Sequence, residues 1–255
     1  MREDLNLDQL ILRASLSERA ERYEDMIKDM KRVIQLHWEN KIEITPKVRN
    51  YFSMAFKNLT GTRRAAWRTL CIEKDKYKDT NLENYNVIVD YLVEVENELN
   101  TICDDVIGHI DKHILKENEI ALDVESQVFF LKMKGDYFRY KAEVAAGQDF
   151  LAFKTESKNA YEKASEIANE LAPVNSLRLG LCLNYSVFYY EIEKMPDKAC
   201  MLAKQAFDDA IKDIDVLSEE HYKDSTLIMQ LLRDNLSLWT HREESNKDYI
   251  DERAD

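Results

Sequence analysis

Glycine and proline are scarce in this chain, with 5 and 3 in 255 residues. Without them tight turns and strand punctuation have few places to form, so long helices are the expected architecture. A basic excess is missing as well. The net charge of -13 sets up a bulk field that repels phosphate backbones, which argues against DNA, RNA or an anionic membrane as the main partner. No apolar run approaches membrane-spanning length, and the polar, acidic opening MREDLNLDQL lacks the character of a signal peptide. The four cysteines, Cys71, Cys103, Cys182 and Cys200, show no CxxC spacing and sit in apolar helical contexts. They read as buried thiols in a reducing, cytoplasmic setting. Gly-rich phosphate loops, Ser-His-Asp order and paired-carboxylate motifs do not stand out, so neither enzyme activity nor a cofactor is expected.

What the chain does contain is 45% hydrophobic and 33% charged residues, enough for a sizeable core beneath a soluble surface. Apolar periodicity predicts a first helix over about 5 to 21 on Leu5, Leu12, Leu16 and Ala20, and a second on Tyr23, Met26, Met30 and Val33. The stretch WENKIEITPKV is the first break, with Thr45 as cap and Pro46 starting a long helix to residue 77. Another spans 82 to 114, apolar at Val87, Tyr91, Val95, Leu99, Ile102 and Val106. A helix over 128 to 147 precedes a loop at GQDF. Further helices follow at about 156 to 171, through SLRLGLCLNYSVFYYEIEK, through DKACMLAKQAFDDAIKDID, and from about Glu219 to Trp239. The reading is all-α, with nine helices, neighbours antiparallel and one domain over residues 1 to 241. The polar tail from 242 to 255 has no periodicity and is expected to be disordered.

The chemistry begins with VFFLKMKGDYFRYKAEVAAG, residues 128 to 147. Lys132 and Arg139 stand seven residues apart, close to two helical turns, so they leave the helix on about the same side, with Tyr140 beside them. The helix over 47 to 77 repeats the pattern with Lys57 and Arg64, and Arg68 lies a turn further on. Taken alone, such cations are ordinarily solvated helix charges balanced by Glu and Asp. Two later helices each carry an apolar stripe with one asparagine, Asn184 and Asn235. A groove with cations on one wall and apolar residues on the other suits an extended peptide bearing a dianion. The planar guanidinium makes paired hydrogen bonds to phosphate, and an asparagine amide offers both donor and acceptor to a main chain.

Five runs carry a resemblance to the 14-3-3 family across nearly the whole chain. They are AERYEDM (20 to 26), FKNLTGTRRAAWR (56 to 68), the 128 to 147 stretch, RLGLCLNYSVFYYEI (178 to 192) and YKDSTLIMQLLRDNLSLW (222 to 239). The resemblance implies a cup-shaped dimeric adaptor that binds phosphoserine or phosphothreonine segments in an amphipathic groove. It assigns phosphate contacts to Lys57, Arg64, Arg139 and Tyr140, and peptide main-chain contacts to Asn184 and Asn235. It lines the groove with Lys132, Leu183, Val187, Glu191, Leu227, Ile228, Leu231 and Trp239. It builds a homo- or heterodimer seam from the first helix against the fourth, through Leu16, Ala20, Arg22, Tyr91 and Glu98, with an Arg22–Glu98 ion pair.

Two departures stand out. Ala66 occupies a seam position where most relatives carry serine, which removes any phosphorylation switch there. Glu94 replaces a usual lysine opposite Asp25, and because an exposed pair is worth only about 0–1 kcal/mol the expected effect is a weakened dimer. The segments near 38 to 46 and 114 to 124 look slightly long for the family. Asn-x-Ser/Thr matches at Asn58, Asn184 and Asn235 read as chance in a cytoplasmic chain. Asp105, His109 and His113 share one helix face at i, i+4, i+8 but lack an accompanying cysteine or second carboxylate motif, so helix packing is preferred to metal binding. The alternative function is a tetratricopeptide-like scaffold for unmodified peptides, which a steady period of about 34 residues would reveal.

Overall fold

The computed structural model describes residues 4 to 116 and 122 to 251. Among them nine α-helices follow one another without a strand: α1 (Leu7–Arg19), α2 (Tyr23–Glu39), α3 (Pro46–Tyr77), α4 (Leu82–His109), α5 (Val124–Val144), α6 (Gly147–Ala168), α7 (Ser176–Glu191), α8 (Pro196–Lys212) and α9 (Glu219–Asp251). A π-helical turn, Ile110–Ile114, extends α4, and a 3₁₀ turn, Ile214–Val216, follows α8. Helices of 32 and 28 residues at α3 and α4 do not fit a repeated helix pair of about 34 residues, so the tetratricopeptide alternative has no steady period to stand on.

Short polar side chains set the starts. Asn6 and Gln9 form a reciprocal capping box on α1, and the Thr45 hydroxyl accepts from Val48 N ahead of Pro46. Asn81, Asp123 and Asn175 cap α4, α5 and α7 in the same manner. The expected GQDF loop is instead the first turn of α6, entered through Gly147 at φ 60, a left-handed conformation that glycine adopts without a Cβ clash. The C-terminal helix also runs further than expected. Between 242 and 251 the sequence offers neither glycine nor proline to stop it, and α9 continues to Asp251. The remainder of the tail, 252 to 255, and much of the 114 to 124 segment lie outside the described residues, as do residues 1 to 3.

The chain forms two compact units. Unit 1 comprises residues 1 to 126 and 140 to 150; unit 2 comprises 127 to 139 and 151 to 255. Helix α5 thus lends its middle to unit 2 and its last turn to unit 1. The core of unit 1 gathers Leu10, Met26, Met30, Ile34, Phe52, Phe56, Leu99 and Ile110, all fully buried. On α1 the buried face is Leu10 and Ala14, while the predicted Leu12 and Leu16 are exposed. On α4 Leu92, Val95, Leu99, Cys103 and Val106 are buried, whereas Val87 and Tyr91 face solvent. Unit 2 is built around Phe130, Tyr161, Phe188 and Leu232, with Tyr161 stacked on Tyr185 at 5.1 Å. Of the cysteines only Cys103 is buried, and none of the four forms a disulfide. Burial pushes the Cys103 thiol up to about 12 despite the nearby Lys141 ammonium, which leaves it unreactive at neutral pH.

Candidate functional site

In unit 1 the cationic face begins on α3. Lys57 is exposed, and Arg64, two turns later, is drawn down onto the last turn of α5. Its Nε donates to Glu143 Oε2 at 2.9 Å and its Nη2 to Oε1 at 2.7 Å. The guanidinium lies 3.9 Å from the Tyr140 ring centroid, a cation–π contact that fixes its plane. Arg68 adds a third cationic group 3.6 Å from Glu143 Oε2. Two residues assigned to phosphate, 76 positions apart in sequence, therefore touch.

In unit 2 the arrangement centres on a carboxylate. Lys132, Asp136 and Arg139 occupy i, i+4 and i+7 of α5, one stripe of the helix. Lys132 Nζ donates to Asp136 Oδ2 at 2.9 Å, and Arg139 Nη2 to Oδ1 at 3.4 Å. The Tyr161 hydroxyl donates to Oδ1 at 2.6 Å and accepts from Arg139 Nε at 3.1 Å. Asn184 completes the cluster from α7, its Nδ2 lying 2.8 and 2.9 Å from the two carboxylate oxygens. Burial by itself would raise the Asp136 carboxyl, but the Lys132 and Arg139 charges and the Tyr161 hydrogen bond bring it below the usual carboxylate range. Burial likewise lifts the Tyr161 hydroxyl well above its usual value, so it stays protonated and able to donate.

Glycines let these helices approach. A Cβ on Gly135 would stand 2.8 Å from the Tyr161 ring, so only glycine fits there. At Gly180 an added Cβ would find Lys132 Cε at 3.7 Å and Ile228 Cδ1 at 3.9 Å, which places α7 against both the lysine of α5 and the apolar stripe of α9. That stripe is open: Leu227 is 65% and Leu231 44% exposed, with Ile228, Asn235, Leu183 and Val187 half-buried and Glu191 exposed. Trp239, assigned by the resemblance to the same wall, is packed among its neighbours. It is 4% exposed and stacked on Tyr190 with ring centroids 4.7 Å apart.

The predicted seam residues Leu16, Ala20, Arg22, Tyr91 and Glu98 are all exposed in unit 1. Within the chain Arg22 Nε donates to Asp25 at 2.7 Å, and Glu98 accepts from Arg63 Nε at 3.2 Å. A cleft of ≈ 540 Å³ lies beside them, lined by Arg22, Glu24, Asp25, Lys28, Asn58 and Arg63. The histidine face serves packing. Asp105 accepts from Lys31 Nζ at 2.6 Å, and His113 meets Trp38 edge-on at 5.0 Å. No three metal-ligating side chains converge among the described residues, and no described helix is long and apolar enough to cross a membrane.

Glu143 in unit 1 and Asp136 and Tyr161 in unit 2 were not among the expected functional residues. The Lys132–Asp136–Arg139 spacing was a usable signal, since i, i+4 and i, i+3 charges on a helix meet. Comparison with known proteins agrees with the resemblance. The model of the family described as 14-3-3 protein matches residues 13–240. The chain is 49% identical over 239 residues to the 14-3-3 protein homolog of Encephalitozoon cuniculi, covering 94% of this chain and 93% of the relative. It is 50% identical over 234 residues to 14-3-3 protein zeta of Bombyx mori, at 91% and 92% coverage. It is 51% identical over 229 residues to the checkpoint signal transducer rad24 of Schizosaccharomyces pombe, at 89% and 82%.

Proposed function

The chain belongs to the 14-3-3 family, and from that premise we propose that it is a dimeric cytoplasmic adaptor for phosphoserine and phosphothreonine segments of client proteins. Lys57, Arg64, Arg139 and Tyr140 take the phosphate; Asn184 and Asn235 hold the peptide main chain; the Leu227, Ile228 and Leu231 stripe takes apolar side chains. The observation that carries the reading is the Arg64–Tyr140 contact at 3.9 Å, which assembles two of these ligands from distant parts of the chain. Arg64 is held flat by a ring and by a carboxylate, so its fork is oriented before a dianion arrives. The chemistry is recognition, with no bond made or broken.

Support for a dimer comes from the apolar side chains left open on α1 and α4. Leu12, Leu16, Val87 and Tyr91 are each more than half exposed. Apolar surface of that kind marks an interaction face on a soluble chain. Arg22 and Glu98 already hold partners within the chain, so a cross-subunit pair between them forms only by exchange.

Calorimetric titration with an Arg-x-x-phosphoserine-x-Pro peptide and its unphosphorylated twin tests the function. Binding of the phosphorylated form alone, lost in Arg64→Ala and Arg139→Ala, is the expected result. Equal binding of both peptides, or of neither, would overturn it.

A further inference from the structure

Asp136 is 6% exposed and receives four side chains in unit 2, two of which, Arg139 and Asn184, the proposed function places at the phosphopeptide. Lys132 and Arg139 are cations and can orient toward a carboxylate in only one sense. Asn184 is different, because its amide has a donor end and an acceptor end that fit the same space. An ionised carboxylate donates nothing, so only the NH₂ end of Asn184 can face it. That end lies within 2.9 Å of both Asp136 oxygens.

We propose that Asp136 is a positioning residue that fixes the Asn184 amide with Oδ1 toward the bound peptide, so that the peptide must meet it with a main-chain N–H. The inference rests on the reading of Asn184 as a main-chain contact. It adds a rule of specificity: the peptide residue opposite Asn184 cannot be proline or any other tertiary amide. A tertiary amide there leaves Oδ1 without its donor and crowds it with a carbon. The neighbouring hydrogen bonds keep the device rigid. Tyr161 donates to Asp136 Oδ1 at 2.6 Å, and Lys132 to Asp136 Oδ2 at 2.9 Å, so the carboxylate cannot rotate away to release the amide.

The test is an N-methyl scan along the phosphopeptide, read by calorimetry on the full chain, on Asn184→Ala and on Asp136→Asn. In the unaltered chain one position should lose about tenfold in affinity on N-methylation, the scale of one hydrogen bond left unmade. That penalty should vanish in Asn184→Ala. It should shrink to about threefold in Asp136→Asn, where either end of the Asn184 amide can face the new neutral partner. A tenfold penalty unchanged in Asp136→Asn would show that the carboxylate does not set the orientation. Phosphate-dependent binding with a flat scan overturns the proposal and leaves the adaptor reading standing, whereas phosphate-independent binding overturns both. Should Asp136→Asn not fold, NMR on the unaltered chain decides the point. The Asn184 side-chain NH₂ pair, identified by its loss in Asn184→Ala, should exchange with water more slowly than an unfolded control, and exchange at the control rate refutes the proposed contact.

Discussion

Arg64 and Glu143 meet in a two-point ion pair, 2.9 and 2.7 Å, beside the face of Tyr140. Both partners are substantially covered, at 19% and 10% side-chain exposure, so the pair is worth more than a surface contact. Removing one partner leaves the other charge poorly solvated. Arg64→Ala should destabilise the chain by about 1–3 kcal/mol, and the double variant with Glu143→Ala should recover part of that loss. Chemical denaturation of the four-member cycle measures it, and simple additivity would contradict a direct coupling. Arg64→Lys keeps the charge but loses the fork, and phosphopeptide affinity should fall by roughly tenfold.

The two glycines of α3 and α5 should respond in opposite directions. Gly135→Ala drives a Cβ to 2.8 Å from a ring whose hydroxyl is tied to Asp136. Relief requires moving the helix or the ring, at about 1–3 kcal/mol. Gly61 has nothing within 4 Å of an added Cβ. Gly61→Ala should therefore stabilise by about 0.5–1 kcal/mol through helix propensity alone. Thermal unfolding of the two variants checks the opposite signs.

Unit 1 should lose stability as the pH falls below neutrality. Burial, followed by the nearby His109, Lys112 and Lys116 charges, holds the His113 imidazole below its ordinary value of 6.5, with Glu39 only partly opposing. A group whose folded pKa is lowered contributes its full stability above the unfolded value. That contribution declines as pH drops below 6.5 and is gone beneath the folded value. The drop in denaturation midpoint between pH 7.5 and pH 5 should be smaller in His113→Gln. An identical drop would exclude His113 as its source.

If α1 and α4 form the dimer seam, Glu94→Lys should tighten it. The gain expected from replacing one exposed repulsion is at most about fivefold in dissociation constant. Tyr91→Asp should weaken it strongly by placing a charge on the open apolar face. Sedimentation of both variants against the unaltered chain measures the effect, and a monomer at every concentration would remove the seam from the proposal.

Much of this fold could be read from the scarcity of breakers. Thr45 and Pro46 mark the start of α3 correctly because a hydroxyl cap and a donorless first residue suit nothing else so well. The inward face of α1 was misjudged. Leu10 and Ala14 point in, while Leu12 and Leu16 are equally apolar and point out, and periodicity does not say which side has a core behind it. Gly147 was taken for a loop because glycine ends helices more often than it opens them. The cations of the site were visible by spacing. The groups that hold them were harder to find: Glu143 lies 79 residues from Arg64, and Tyr161 lies 22 from Arg139, separations fixed only by tertiary packing.

Arg64, Lys132 and Arg139 each have a carboxylate beside them before any ligand comes. In the proposed function an incoming phosphate shares these cations with resident acids that stay in place and already neutralise part of their charge. Fewer small counterions are set free than the number of cations implies, so ionic strength should weaken binding less steeply than at a bare basic patch. An acidic protein can in this way keep a site for an acidic ligand without displaying a positive surface to every polyanion in solution.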